Sequence, residues 1–109
     1  MPSSPDDCDA ALQFLTESCD AIATAKSELE RSEILRKRVR KRHFLAADSK
    51  LSVAVREAMA EVHEDTAKVD NRYIAAIAAY EALKAKRELN VILVDVWRTT
   101  AASRRQAAK

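Results

Sequence analysis

Glycine is absent from the 109 residues, and proline occurs only as Pro2 and Pro5. Tight turns between strands favour residues that tolerate positive φ, and besides glycine the chain has just two asparagines, Asn71 and Asn90. A β-rich fold is therefore excluded. No apolar run approaches the roughly 20 residues needed to span a bilayer. The first ten residues are acidic and lack the basic-then-apolar pattern of a secretory signal, so a cytoplasmic location without membrane association is expected. Cysteine is limited to Cys8 and Cys19. On one continuous helix their α-carbons would lie about 16 Å apart, out of disulfide reach, and both fit an apolar stripe as buried thiols.

What is present is alanine in abundance beside Glu, Lys, Arg and Leu, the composition of long helices. The expected fold is all-α: two long antiparallel helices in a coiled-coil-like hairpin with a short middle helix, forming one domain over residues 1–109. A chain this short buries only a small core by itself, so a homo-oligomer, most simply a dimer, is expected. Ser4-Pro5-Asp6-Asp7 places a capping residue, a first-turn proline and an acid in the order of a helix start. Cys8, Leu12, Leu15, Cys19 and Ile22 then recur at spacings of four and three. Nothing breaks this pattern until about Phe44, which predicts a helix over 5–45, about 60 Å long.

The segment from Ala46 to Ser52 loses the periodicity and supplies polar capping residues, so the first turn is placed there. A short helix is predicted over 52–62. At His63-Glu64-Asp65 the chain can bend or run on, since no glycine or proline decides it. The last helix is predicted over 65–102, with Val69, Tyr73, Ala76, Tyr80 and Leu83 on its seam and a basic tail over 103–109. Continuing that phase meets Arg87 and Asn90, while Leu89, Leu93 and Val96 form a neighbouring stripe. The buried face is expected to widen or shift near residue 89.

Charge is arranged in blocks. Residues 1–25 carry five acids and no Lys or Arg, 26–50 nine bases and four acids, 51–70 two bases and five acids, and 71–109 eight bases and three acids. Antiparallel helices set these blocks against one another, choosing orientation more than adding stability, since an exposed pair contributes less than about 1 kcal/mol.

Two basic segments are candidate sites. In Arg36-Lys37-Arg38-Val39-Arg40-Lys41-Arg42-His43, Leu35, Val39, His43 and Ala46 share one side of a helix and six cations cover the rest. Such a cluster can release counterions from nucleic acid, or it can pair with Glu57, Glu61, Glu64, Asp65 and Asp70 within the fold. No aromatic is interleaved for base stacking, although Phe44 follows. At the C-terminus, Arg98, Ala102, Arg105 and Lys109 share a face beside Trp97 and Arg104. This is either a docking surface anchored by Trp and Arg or a core tryptophan followed by a basic helix end. Tyr73 and Tyr80 read as packing residues.

No catalytic motif is present, so no enzyme activity and no cofactor are expected. His43 and His63 stand twenty apart, without a metal-ligand spacing, and the consecutive His63, Glu64 and Asp65 would point in different directions on a helix, so no metal site is assigned. The stretches Val96-Trp97-Arg98-Thr99-Thr100-Ala101-Ala102-Ser103-Arg104-Arg105, Leu51 to Ala58 and Tyr80-Glu81-Ala82-Leu83 resemble small bacteriophage and prophage helical proteins often encoded near recombination genes. The likeness covers about the last two-thirds of the chain; Val55 and the basic run over 36–42 depart from it. The resemblance implies a bacterial host cytoplasm and a non-enzymatic accessory protein that contacts nucleic acid or a DNA-handling partner. The alternative it leaves open is an inhibitor of a host defence system, acting on a host protein.

Overall fold

The computed structural model describes residues 5–108. Among them the regular structure is entirely helical: α1 (Pro5–Glu17), α2 (Cys19–Ala46), α3 (Val53–Val62) and α4 (Glu64–Ala108). The expected cap at Ser4 lies outside the described residues, but Asp6 and Asp7 occupy the first turn of α1, where acids complement the helix dipole. No helix among the described residues is long and apolar enough to cross a membrane. The chain divides into two compact units, one drawn from residues 1–24 with 81–109 and the other from 25–80.

In the first unit α1 packs on the C-terminal part of α4. Cys8, Ala11 and Val94 are buried together, with Leu15 and Trp97 packed against them. The buried positions are Cys8, Ala11 and Ser18, with Leu15 and Ile22 partly covered. Leu12 and Cys19, expected on this seam, are exposed instead. The covered positions there lie one residue before the expected ones, so the leucine and the second thiol are turned outward.

The helix expected to run unbroken over 5–45 is interrupted at Ser18. Its backbone ladder persists, because Ser18 N–H donates to Phe14 O and Ile22 N–H donates to Ser18 O, both at 2.9 Å. The disturbance centres on the Leu15 carbonyl. Arg87 Nη1 donates to it at 2.8 Å and Cys19 Sγ lies 3.2 Å from it. Arg87 Nη1 also donates to Ser18 Oγ, so one guanidinium from α4 is inserted into the turn. Side chains competing for a ladder carbonyl are a recognised cause of helix bending.

The second unit contains the C-terminal part of α2, all of α3 and the N-terminal part of α4. Ser32, Val39, Ala60, Thr66 and Ala76 are buried. Ion pairs Glu28–Arg72, Arg36–Asp70 and His43–Asp65 descend along α4 as they ascend α2, so these segments run antiparallel. The turn falls where the periodicity was lost: Asp48 Oδ1 accepts from Lys50 N–H at 2.9 Å, and Ser52 Oγ caps α3 by accepting from Val55 N–H at 3.2 Å. Arg56 of α3 reaches back to donate to Phe44 O at 3.1 Å and lies over the Phe44 ring at 4.2 Å.

Between α3 and α4 the chain bends on a single residue, His63, whose backbone is extended (φ −65°, ψ 143°). No glycine is needed because φ stays negative. Side chains hold the bend: Thr66 Oγ1, wholly buried, donates to Ala60 O at 2.6 Å, and His63 Nδ1 accepts from Asp65 N–H at 3.0 Å. α4 then continues to Ala108, so the basic segment expected as a tail is helical through that residue. Its covered face includes Val69, Tyr73, Ala76 and Tyr80 in one unit and Leu83, Arg87, Asn90, Val94 and Trp97 in the other. The phase therefore does not shift at residue 89, but the covered face widens beyond it, where Leu93 is half-buried beside Val94. Arg87 stays on the seam because its guanidinium is bonded to α1, and Asn90 donates to its own helix at Lys86 O, 2.8 Å away. Leu89 and Val96 are exposed.

Candidate functional site

The basic run on α2 is split by the helix into two populations. Val39 is buried, so residues one position before and after it emerge on opposite sides. Arg36 and Arg40 turn toward α4. Arg40 donates through Nη1 to Asp70 Oδ1 at 2.7 Å and through Nη2 to Asp70 Oδ2, a two-pronged pair, while its Nε reaches Glu61 Oε2 of α3 at 2.9 Å. Arg36 Nε donates to Asp70 at 3.2 Å and its guanidinium lies 4.7 Å from the Tyr73 ring centre.

This network governs the local proton affinities. The hydrogen bonds from Arg40 hold the Asp70 carboxyl below the usual Asp range, against partial burial that acts the other way. The same guanidinium lowers Glu61, and the two acids together raise Arg40. The paired-within-the-fold reading thus describes Arg36 and Arg40. Lys37 lies exposed beside Glu33 of its own helix at 3.5 Å.

Arg38, Lys41 and Arg42 are exposed, and none makes an ion pair among the described residues. They share their side of α2 with exposed Arg31, Ile34 and Leu45. Residues 31, 34, 38, 41 and 45 recur at spacings of three and four, so basic and apolar side chains alternate along one stripe. Ser27, Glu30, Arg31, Ile34, Leu35 and Arg38 line a shallow cleft of about 420 Å³ on it.

The C-terminal candidates also separate. Trp97 is half-buried against the Cys8–Ala11–Val94 cluster, a core role. Arg98 is exposed. Arg104 and Arg105 border an open cleft of about 400 Å³ with Pro5, Trp97, Thr100 and Ala101. Next to this surface, exposed Leu89, Ile92 and Val96 follow one another at spacings of three and four along α4.

A third constellation escaped the sequence reading. His43 near the end of α2, His63 at the bend and Asp65 in the first turn of α4 each place a ligand-type atom within 4.8 Å of the others. His43 Nε2 lies 3.0 Å and His63 Nδ1 3.6 Å from Asp65 Oδ2, and the two imidazoles stack with centroids 3.6 Å apart. The expectation that His63 and Asp65 would diverge assumed a helix through both. The single-residue bend removes that helix, and His43 arrives from twenty residues away by tertiary packing. No protein-family model, curated protein or solved structure matches the chain.

Proposed function

We propose that the chain is a non-enzymatic helical accessory protein of the phage type, which presents the exposed side of α2 to nucleic acid or to a DNA-handling partner. The observation that carries this reading is the division of the basic run: two of its arginines pair with acids of α3 and α4, while Arg38, Lys41 and Arg42 are exposed and make no ion pair among the described residues. Unpaired cations on a regular helix are suited to phosphates or to acidic side chains. Ile34 and Leu45, interleaved among them, add apolar contact that a bare phosphate backbone would not use, which favours a protein partner or a mixed surface. The coiled-coil-like hairpin, a homodimer and the bacterial cytoplasm belong to the same proposal.

The test is a salt-titrated binding assay with double- and single-stranded DNA, paired with solution mass by light scattering. Replacing Arg38, Lys41 and Arg42 with Ala should weaken DNA binding and flatten the log-affinity against log-salt slope by about 0.9 for each phosphate no longer neutralised. Lack of DNA binding at low salt removes the nucleic-acid branch, and a monomer at all concentrations removes the dimer.

The exposed Leu89, Ile92 and Val96 favour a second reading, a phage-encoded inhibitor that docks on a host defence protein. Restored phage growth in a defence-bearing host, abolished by Ile92→Glu, supports it; no effect of the wild-type chain in such hosts removes it.

A further inference from the structure

We propose that His43, His63 and Asp65 form a binding site for one late first-row divalent metal ion, with Zn²⁺ as the reference case. The three residues come from three different elements: the last turn of α2, the bend after α3 and the first turn of α4. Their separations suit the task. With metal–ligand bonds of about 2.0–2.2 Å, a tetrahedral site has ligand-to-ligand edges of about 3.3–3.5 Å. The His43 Nε2–Asp65 distance of 3.0 Å and the His63 Nδ1–Asp65 distance of 3.6 Å bracket that edge. The third edge, between the two imidazoles, is at most 4.8 Å, and the rings must turn out of their stack for both lone pairs to meet one ion.

The donor set decides the class of metal. Two imidazoles and one carboxylate suit zinc, copper, nickel or cobalt, whereas magnesium and calcium take oxygen ligands. Three protein ligands leave a fourth position for water, the arrangement of an open site. A cleft of about 200 Å³ lined by His43, Ala46, Ala47, Met59 and His63 opens beside both rings. The Asp65 carboxylate supplies negative charge where a bare cation would otherwise meet the positive end of the α4 dipole.

Without metal, the same atoms are held by hydrogen bonds. His63 Nδ1 accepts from Asp65 N–H at 3.0 Å, so that capping bond gives way unless His63 coordinates through its other nitrogen. His43 Nε2 faces the carboxylate at 3.0 Å, and to coordinate it must present its lone pair there, with its proton on Nδ1. Capping of α4 requires only His63 and the Asp65 amide. The second imidazole, stacked against the first and with its Nε2 3.0 Å from the same carboxylate, goes beyond that need.

The test is a calorimetric titration of the untagged full chain with Zn²⁺ at pH 7.5, followed by Co²⁺ substitution to read coordination from the visible spectrum. One equivalent should bind, with four-coordinate Co²⁺ bands. His43→Gln and Asp65→Asn should each weaken binding at least about tenfold. Cys19→Ser should leave it unchanged, separating the site from the exposed thiol. His43→Gln does not touch the α4 cap and carries the test if Asp65→Asn unfolds the bend. The proposal is overturned if no Zn²⁺ binds, if His43→Gln binds as tightly as wild type, or if Cys19→Ser abolishes binding.

Discussion

Replacing Asp70 with Asn tests whether the arginine network stabilises the fold or merely decorates it. Asp70 accepts both Nη groups of Arg40 and Nε of Arg36, and its side chain is 27% exposed against 23% for Arg40. Asparagine keeps one acceptor but removes the charge and the two-pronged geometry. A hydrogen bond to a charged group contributes about 1.5–3 kcal/mol, and water re-solvating these quarter-exposed groups offsets part of what the missing bonds supplied. The net destabilisation should be about 1.5–3 kcal/mol, lowering Tm by roughly 10 °C.

The pH dependence gives an independent check. The Asp70 pKa is depressed in the folded state, so its contribution is present above the ordinary Asp value of about 3.9 and disappears as pH falls through the depressed value. Urea denaturation followed by far-ultraviolet circular dichroism should show a constant gap between wild type and Asp70→Asn near neutral pH. Below about pH 4 the gap should shrink. Glu88→Gln, at an exposed acid without an ion pair among the described residues, should stay within about 0.5 kcal/mol of wild type. An Asp70→Asn gap no larger than that of this control at pH 7, or one that keeps its size well below pH 4, would refute the reasoning.

Thr66→Val keeps the shape of a wholly buried side chain but removes its donor to Ala60 O, and should cost about 1–3 kcal/mol in urea denaturation. Ser52→Ala removes the acceptor for Val55 N–H and should cost about 1 kcal/mol, with faster amide exchange in the first turn of α3. Arg87→Met should release the Leu15 carbonyl and Ser18 Oγ, straighten the α1–α2 junction and change amide exchange at Ser18 and Ile22 while leaving exchange around Thr66 as in wild type. The Arg38, Lys41 and Arg42 triple alanine variant should stay within about 0.5 kcal/mol per site of wild-type stability, because those side chains are exposed and make no ion pair among the described residues.

Much of the helical layout was legible because it depends on local chemistry. The turn before α3 announced itself through Asp48 and Ser52, whose side chains satisfy backbone donors within three residues. The seam of α4 followed from spacing, since a helix turns its own periodic positions to one side whatever it packs against. Near residue 89, where the face is expected to widen or shift, Arg87 keeps its place on the seam by bonding to the neighbouring helix, and of the adjoining stripe Leu93 is half-buried while Leu89 and Val96 are exposed. On α1 the spacing points to Leu12 and Cys19, whereas Ala11 and Ser18 are buried and those two are exposed, because the face that α4 covers is set by packing.

The basic run shows where the boundary lies. Its position on a helix around buried Val39 could be read from the order of residues, and so could the presence of acids complementary to it. Which cations those acids would take could not, because Asp70 and Glu61 reach Arg36 and Arg40 only after α3 and α4 have packed on α2. The meeting of His43, His63 and Asp65 depends on the same packing and on a one-residue bend that no glycine or proline marks. By itself the sequence determined helices, the seam of α4 and the signs of the charges, all set by neighbours a few residues away. Tertiary structure alone decided which charges are spent inside the fold and which side chains from distant turns share a site, because those outcomes depend on distances that close only when the helices pack.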